Sequence, residues 1–287
     1  MNKLDPQPQA VMPIFRRLLQ DRAARHGAAF DMIGCSEPFH ELVQQLRQAA
    51  EWNMEPVLLT GERGSGKDVA ARALHLWSDR HTRTFLPVLV PSLCEDLLAD
   101  ELFGHTQHSF TGALSRRAGK LAMADTGTVF LDEIGDLGAA AQAALLRVLE
   151  TGEFTPIGAD QPQILDVRII AASNQSLPRL IAEGRFRADL YDRLSVFEIR
   201  VPPLRERRDD IPALASYFLN ECCRMRECHF ERTEPKACAS APRAACASEE
   251  FYRGLRACDW PGNVRELRSH IIRLRAGHPM PHSFCTQ

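Results

Sequence analysis

Seven consecutive residues, Gly61-Glu62-Arg63-Gly64-Ser65-Gly66-Lys67, have the types and spacing to hold a phosphate. The run follows an apolar stretch with strand character and opens one with helical character. Backbone N–H groups and a helix N-terminus therefore converge on one point that the Lys67 ammonium can reach. Asp68 follows, where the general motif places a Ser or Thr whose hydroxyl ligates magnesium. A carboxylate does not reproduce that ligand, so Mg2+ here leans on other oxygens and on water. Val129-Phe130-Leu131-Asp132-Glu133 ends in two such carboxylates. Successive side chains diverge at a strand's end, so Asp132 can orient a metal-bound water while Glu133 polarises an attacking one. An acidic pair can also cap a helix after a buried strand, a reading that the phosphate cradle makes the lesser one. A third apolar run, Val167 to Ala172, ends at Ser173-Asn174. The Asn174 amide can position the same water or sense a γ-phosphate; asparagine at a strand end otherwise makes a turn.

These groups need a scaffold. The 287 residues, 45% hydrophobic and 25% charged, suit one large domain or a core with a small second domain, and exclude disorder, collagen and coiled coil. A net charge of -2 leaves no bulk positive field for non-specific nucleic-acid binding. No run reaches the ~18 to 20 apolar residues of a membrane span. The N-terminus lacks an export signal, so no membrane partner is expected and the chain reads as cytoplasmic. Seven of the nine cysteines fall from Cys222 onward. The group Cys222, Cys228, His229 and Cys238 lacks the paired short spacing of a zinc site and reads as reduced thiols.

Short β-rich runs alternate with helical ones from Phe30 to about Arg205, which predicts a parallel sheet covered on both faces. The strands are expected at Val57–Leu59, Phe85–Val90, Val129–Leu131, Val167–Ala172 and Val196–Val201, with helices at Val69–Trp77 and Ala139–Glu150. Before them, Ile14, Phe15, Leu18 and Leu19 are spaced for a docking helix within Pro13–His26. After Pro202-Pro203 come a helix over Ile211–Leu219, an Ala/Cys-rich insertion at about 228–250, and helix from Phe251 to Leu274. Trp260-Pro261-Gly262-Asn263 interrupts that last helix, and Asn263 is expected to cap its second half. The expected domains are a tail with a helix (1–29), an α/β nucleotide-binding domain (30–203), a helical unit (204–275) and a tail (276–287).

The cradle GERGSGKD, ELFGHTQHSFTGA (Glu101–Ala113), GTVFLDEIGDL, LLRVLETGEF, FRADLYDRL, PPLRERRDDI and WPGNVREL occur in this order. Together, from about Phe30 to Arg268, they resemble the central AAA+ domain of bacterial sigma-54-dependent transcriptional activators. The resemblance implies an AAA+ P-loop NTPase fold, α/β with a parallel sheet sandwiched by helices and followed by a small all-α lid domain. It implies an ATPase that remodels the sigma-54 RNA polymerase closed complex, with ATP and Mg2+ as cofactors. By motif, Gly61, Glu62, Arg63, Gly64, Ser65, Gly66, Lys67 and Asp68 would bind ATP, Asp132 would serve Mg2+, and Glu133 would activate water. Asn174 would be the first sensor and Arg265 the second. Arg187 and Arg193 match arginine fingers that reach a neighbouring subunit's nucleotide in a ring, a hexamer; as isolated residues they would be surface ion pairs.

Phe110, Thr111 and Gly112 match the tip of a loop that contacts sigma-54, an exposed aromatic anchor; outside that resemblance Phe110 reads as core. Two departures stand out. His108-Ser109 replaces the family's usual Gly-Ala, which restricts the loop's base. Leu89 replaces an asparagine that pairs with the catalytic glutamate, so Glu133 is expected to be less restrained. The stretch after Leu267, with Gly277, Pro279 and Pro281, is too short for a two-helix DNA-reading unit, so none is expected. These departures also leave room for a catalytically weak regulatory subunit that co-assembles with a competent paralogue.

Overall fold

The computed structural model describes residues 32–90, 95–109, 115–230 and 249–276. The expected docking helix at Pro13–His26, the loop tip with Phe110, Thr111 and Gly112, most of the Ala/Cys-rich stretch and the C-terminal tail lie outside the described residues.

Helix α1 (Glu37–Glu51) starts at Ser36, whose Oγ accepts the Phe39 N–H, with a proline in the first turn where no N–H is needed. Strand β1 (Val57–Thr60) runs through the 61–66 loop into α2 (Lys67–Trp77), and β2 (Phe85–Leu89) precedes α3 (Glu95–Phe103). A short antiparallel pair, β3 (Gly104–His105) and β4 (Arg117–Ala118), comes before α4 (Lys120–Met123), β5 (Thr128–Asp132) and α5 (Ala139–Thr151). A second such pair, β6 (Glu153–Phe154) and β7 (Gln163–Ile164), is followed by β8 (Arg168–Ser173), α6 (Leu177–Ala182), α7 (Ala188–Leu194) and β9 (Phe197–Arg200). Helices α8 (Ile211–Phe230), α9 (Glu249–Ala257) and α10 (Asn263–Arg275) form the helical unit. Helix α8 continues well past Leu219, where the apolar spacing ends.

The sheet order is β2-β5-β8-β1-β9, and every neighbouring pair is parallel. The period-two alternation of a strand distributes its side chains between two cores. Leu58, Val129, Leu131, Ile169 and Ala171 enter the core on one face, with Leu145 of α5 and Leu190 of α7. Val57, Leu59, Phe130, Ile170 and Ala172 enter the other, with Leu46 of α1 and Leu74 of α2. Each leucine buried this way contributes about 1.5–3 kcal/mol over its exposed state. The register places Thr60 beside Ser173 and Arg200, and Leu89 beside Asp132, so the carboxyl ends of all five strands share one edge.

A third core, with Ile211, Leu214, Phe218, Leu255, Trp260, Leu267 and Ile271, holds the helical unit together. Buried Asp210 fastens that unit to the α/β part: its carboxylate accepts the Cys35 N–H (2.6 Å), the Ser36 N–H (2.8 Å) and the Ser36 hydroxyl (3.0 Å).

Candidate functional site

The chain leaves β1 at Gly61, whose N–H donates to the Ser173 carbonyl at 3.2 Å. Gly64 (φ +73°) and Gly66 (φ +106°) adopt left-handed conformations that strain a residue bearing a Cβ. At Gly64 a Cβ would also lie 2.4 Å from the Gly262 carbonyl oxygen, so glycine is what lets the segment before α10 approach. Ser65 is buried and its Oγ has no protein partner. An unsatisfied buried hydroxyl costs about 1–3 kcal/mol, and a phosphate oxygen at the N-terminus of α2 would satisfy it.

Lys67 is buried, and its ammonium donates to the carbonyls of Gly61 (2.9 Å) and Glu62 (3.2 Å). Burial pushes its pKa down, while the Glu133 and Asp132 carboxylates pull it back up. At the end of β5, burial and then neighbouring Glu133 raise the Asp132 carboxyl, opposed by Lys67. Glu133 takes a left-handed conformation (φ 60°, ψ 51°), so the backbone turns sharply between the two carboxylates. Its Oε2 accepts the backbone N–H of Asn174 at 3.1 Å, and its Oε1 lies 3.8 Å from Arg63 Nε.

One sequence expectation changes here. Leu89 does sit beside Asp132 without a hydrogen-bonding group, but Glu133 is restrained from the β8 side instead. Asn174 meets Glu133 through its peptide N–H.

A cleft of about 340 Å³ opens between the α/β part and the helical unit. Its lining mixes apolar Ile33, Leu42, Val69, Leu214 and Phe218 with the cradle residues Gly64, Ser65, Gly66 and Asp68 and with charged Glu221, Arg265 and Arg268. Asp68 is exposed in the first turn of α2.

Asn263 does not cap α10. It is buried as the helix's first residue at φ +55°, with Gly262 in the cap position. Its Oδ1 accepts the Leu204 N–H (2.7 Å), and its Nδ2 donates to the Glu62 carboxylate and to the Arg63 carbonyl (both 3.1 Å). Arg205 forms a two-pronged pair with the same carboxylate (2.6 and 2.8 Å). Hydrogen bonds from Arg205 and Asn263 hold the Glu62 carboxyl down at about 2. Buried Arg207 donates to the Ser65 carbonyl at 2.6 Å, and the Val264 N–H to the Gly64 carbonyl at 3.0 Å. Sequence reading missed these contacts of Asn263, Arg205 and Arg207; the only available signal was that PPLRERRDDI and WPGNVREL carry polar groups beside turn-forming residues.

Arg187 and Arg193 lie exposed at the two ends of α7. Arg187 forks onto Asp189 (2.9 and 2.7 Å), and Arg193 lies 3.6 Å from Glu150, so their ion-pair partners are not the carboxylates of the cradle. Phe110, Thr111 and Gly112 lie outside the described residues, but the arms that carry them are visible. β3 and β4 pair in antiparallel fashion, and Thr106 N–H donates to the Ile157 carbonyl at 3.0 Å while Ile157 N–H donates to the Gly104 carbonyl at 2.8 Å. The loop's first arm is thereby joined to the β6–β7 connection. His108 stands at φ +64°, a position that favours glycine.

Among the described residues, no group of three or more His, Cys, Asp or Glu side chains is placed to hold a metal ion, and no helix is long and apolar enough to cross a membrane.

Residues 32–200 match the sigma-54 interaction domain family, and residues 205–279 match the AAA+ ATPase lid domain. The chain is 44% identical over 243 residues to the anaerobic nitric oxide reductase transcription regulator NorR of Aeromonas salmonicida, covering 85% of this chain and 45% of that protein. It is 40% identical over 256 residues to the Nif-specific regulatory protein of Azotobacter vinelandii, covering 89% and 46%. The chain thus spans less than half the length of these curated relatives. The crystal structure of NtrX from Brucella abortus in complex with ADP superposes with a TM-score of 0.75 at 31% identity, covering 94% of this chain and 57% of that one. Nothing in these likenesses supports a catalytically weak regulatory subunit. With its P-loop at the carboxyl edge of a five-stranded parallel sheet and a helical lid behind it, this chain belongs to the sigma-54 interaction domain family of AAA+ P-loop NTPases.

Proposed function

We propose that the chain binds and hydrolyses ATP between its α/β domain and its lid, in a hexameric ring in the cytoplasm, and uses the resulting motion to remodel the sigma-54 RNA polymerase closed complex and activate transcription. The observation that carries this reading is the placement of Glu133, half-buried at the sheet edge beside Asp132 and Lys67 and oriented by the Asn174 N–H. The related NtrX has been solved with ADP and with ATP. The cleft here combines apolar side chains suited to a purine with cradle residues suited to phosphates.

The backbone of Gly61 to Gly66 receives the phosphates, and Lys67 neutralises the β- and γ-oxygens. The orphaned Ser65 hydroxyl and the glycine-lined cradle fit that load. Asp132 would hold Mg2+, largely through water, as suits an ion that takes one or two carboxylates plus phosphate oxygens. When bound, it supplies charge neutralisation on the oxygens of the transferring group. Glu133 accepts a proton from the attacking water, and the amide of Asn174 and the guanidinium of Arg265 follow the nucleotide state. Arg187 and Arg193 enter a neighbouring copy's site, where a guanidinium stabilises transition-state charge and makes hydrolysis depend on assembly. Phe110, Thr111 and Gly112 tip the loop that engages sigma-54.

ATP turnover by the purified chain tests the reading. It is expected to disappear in Lys67→Ala; an assembled wild-type protein that binds ATP without hydrolysing it would contradict the proposal. Phe110→Ala is expected to spare hydrolysis and abolish sigma-54 capture in the presence of a transition-state mimic. Unchanged capture would remove the loop's assignment.

A further inference from the structure

Four consecutive residues of the phosphate cradle are gripped from outside by the lid and the segment leading into it. Asn263 and Arg205 hold the Glu62 carboxylate, Asn263 holds the Arg63 carbonyl, the Val264 N–H holds the Gly64 carbonyl, and Arg207 holds the Ser65 carbonyl. Within a trans peptide unit the C=O and the following N–H point in opposite directions. Fixing the carbonyls of Arg63 and Ser65 toward these partners therefore turns the N–H groups of Gly64 and Gly66 away from them.

Asn263 is the centre of this grip. Its amide bonds both sides: Oδ1 accepts from Leu204 in the segment before the lid, while Nδ2 reaches two successive cradle residues. It is completely buried, and its positive φ of 55° is a conformation that asparagine and glycine tolerate better than other residues. Backbone strain and a buried polar side chain at one position are costs the fold carries for the sake of the contacts they allow.

We propose that Asn263 is a positioning residue for the nucleotide: it orients the peptide planes of the cradle, so that phosphate affinity depends on the lid being docked, and lid movement reaches the cradle through the set of contacts that this side chain centres. The proposal deepens the reading of residues 61–67 as an ATP site and rests on it. Arg265 touches the cleft itself; Asn263 acts through residues 62–64.

The test uses the full chain and the binding of fluorescently labelled ADP, with folding followed by circular dichroism. Asn263→Gly keeps the left-handed backbone and deletes the amide. It is expected to stay folded and to bind ADP at least tenfold more weakly than wild type. Asn263→Asp has the same size but presents a carboxylate to Glu62 and to the Arg63 carbonyl. Its ADP affinity is expected to fall at pH 8 and to recover severalfold relative to wild type toward pH 5.5, as the introduced carboxyl takes up a proton. A merely structural role does not produce that recovery. If Asn263→Gly does not fold, Arg205→Ala, which removes an exposed arm of the same grip, takes its place with an expected weakening of about threefold. Wild-type affinity in the folded glycine variant, or in Arg205→Ala where that variant stands in, overturns the proposal, as does a pH-independent defect in Asn263→Asp. A wild-type chain that binds no ADP overturns the nucleotide reading beneath it instead.

Discussion

The Glu133 carboxylate and the Asn174 peptide N–H meet at 3.1 Å across the adjacent ends of β5 and β8. Because the donor belongs to the main chain, the contact is set by strand register and not by the identity of residue 174. Glu133→Gln is therefore expected to keep the side chain in place and to retain ATP binding while lowering turnover by about 10²–10⁴, the range of a lost general base. Asn174→Ala keeps the N–H and is expected to be milder. Steady-state hydrolysis alongside nucleotide titration separates the two, and equal losses in both variants would contradict this division of labour.

His108 occupies a left-handed position where a non-glycine residue pays roughly 1–2 kcal/mol. His108→Gly removes that strain but increases the freedom of the unfolded chain, so the net change in stability is expected to stay within about 1 kcal/mol. The loop's base becomes easier to rearrange, and sigma-54 capture is expected to rise severalfold. Thermal melting and capture by the two proteins check both parts; reduced capture would show that His108 itself serves the contact.

The Glu62 carboxyl lies at about 2, below its ordinary 4.5, chiefly because of Arg205 and then Asn263. A carboxyl held low in the folded state favours folding while it is ionised. The contribution is complete above pH 4.5 and is lost as pH falls through about 2. Arg205→Ala is therefore expected to lower the melting temperature modestly at pH 7, since the pair is about two-fifths exposed and water screens it. The difference from wild type is expected to shrink steadily below pH 4.5. A gap that stays constant down to pH 3 would assign the effect to lost packing.

The sheet was legible because its strands are short apolar runs, the three central ones buried on both faces, and the cradle because its glycines and lysine are contiguous. Glu133's restraint was not legible: its partner is a main-chain N–H that no residue type announces. The role of Asn263 escaped for another reason. In sequence, Pro-Gly-Asn before a helical run reads as a cap, whereas its contacts with Glu62 and Arg63 span some 200 residues. Helix α8 exceeded its apolar spacing, for the residues after Leu219 (Asn220-Glu221-Cys222-Cys223) carry no stripe by which its full length could be read. The short pairs β3–β4 and β6–β7 are only two residues per strand, too brief for any alternation to show.

The most direct measurement mixes two inactive chains. Lys67→Ala is expected to disable a chain's own cradle, and Arg187→Ala to remove the guanidinium proposed for a neighbour's site, so each is expected to be inactive alone. If adjacent copies build each site jointly, mixed rings contain interfaces where an intact cradle faces an intact Arg187, and ATP turnover returns to a measurable fraction of the wild-type rate. Mixed rings that form, as judged by co-purification of differently tagged chains, yet recover no hydrolysis at any ratio would contradict the shared site.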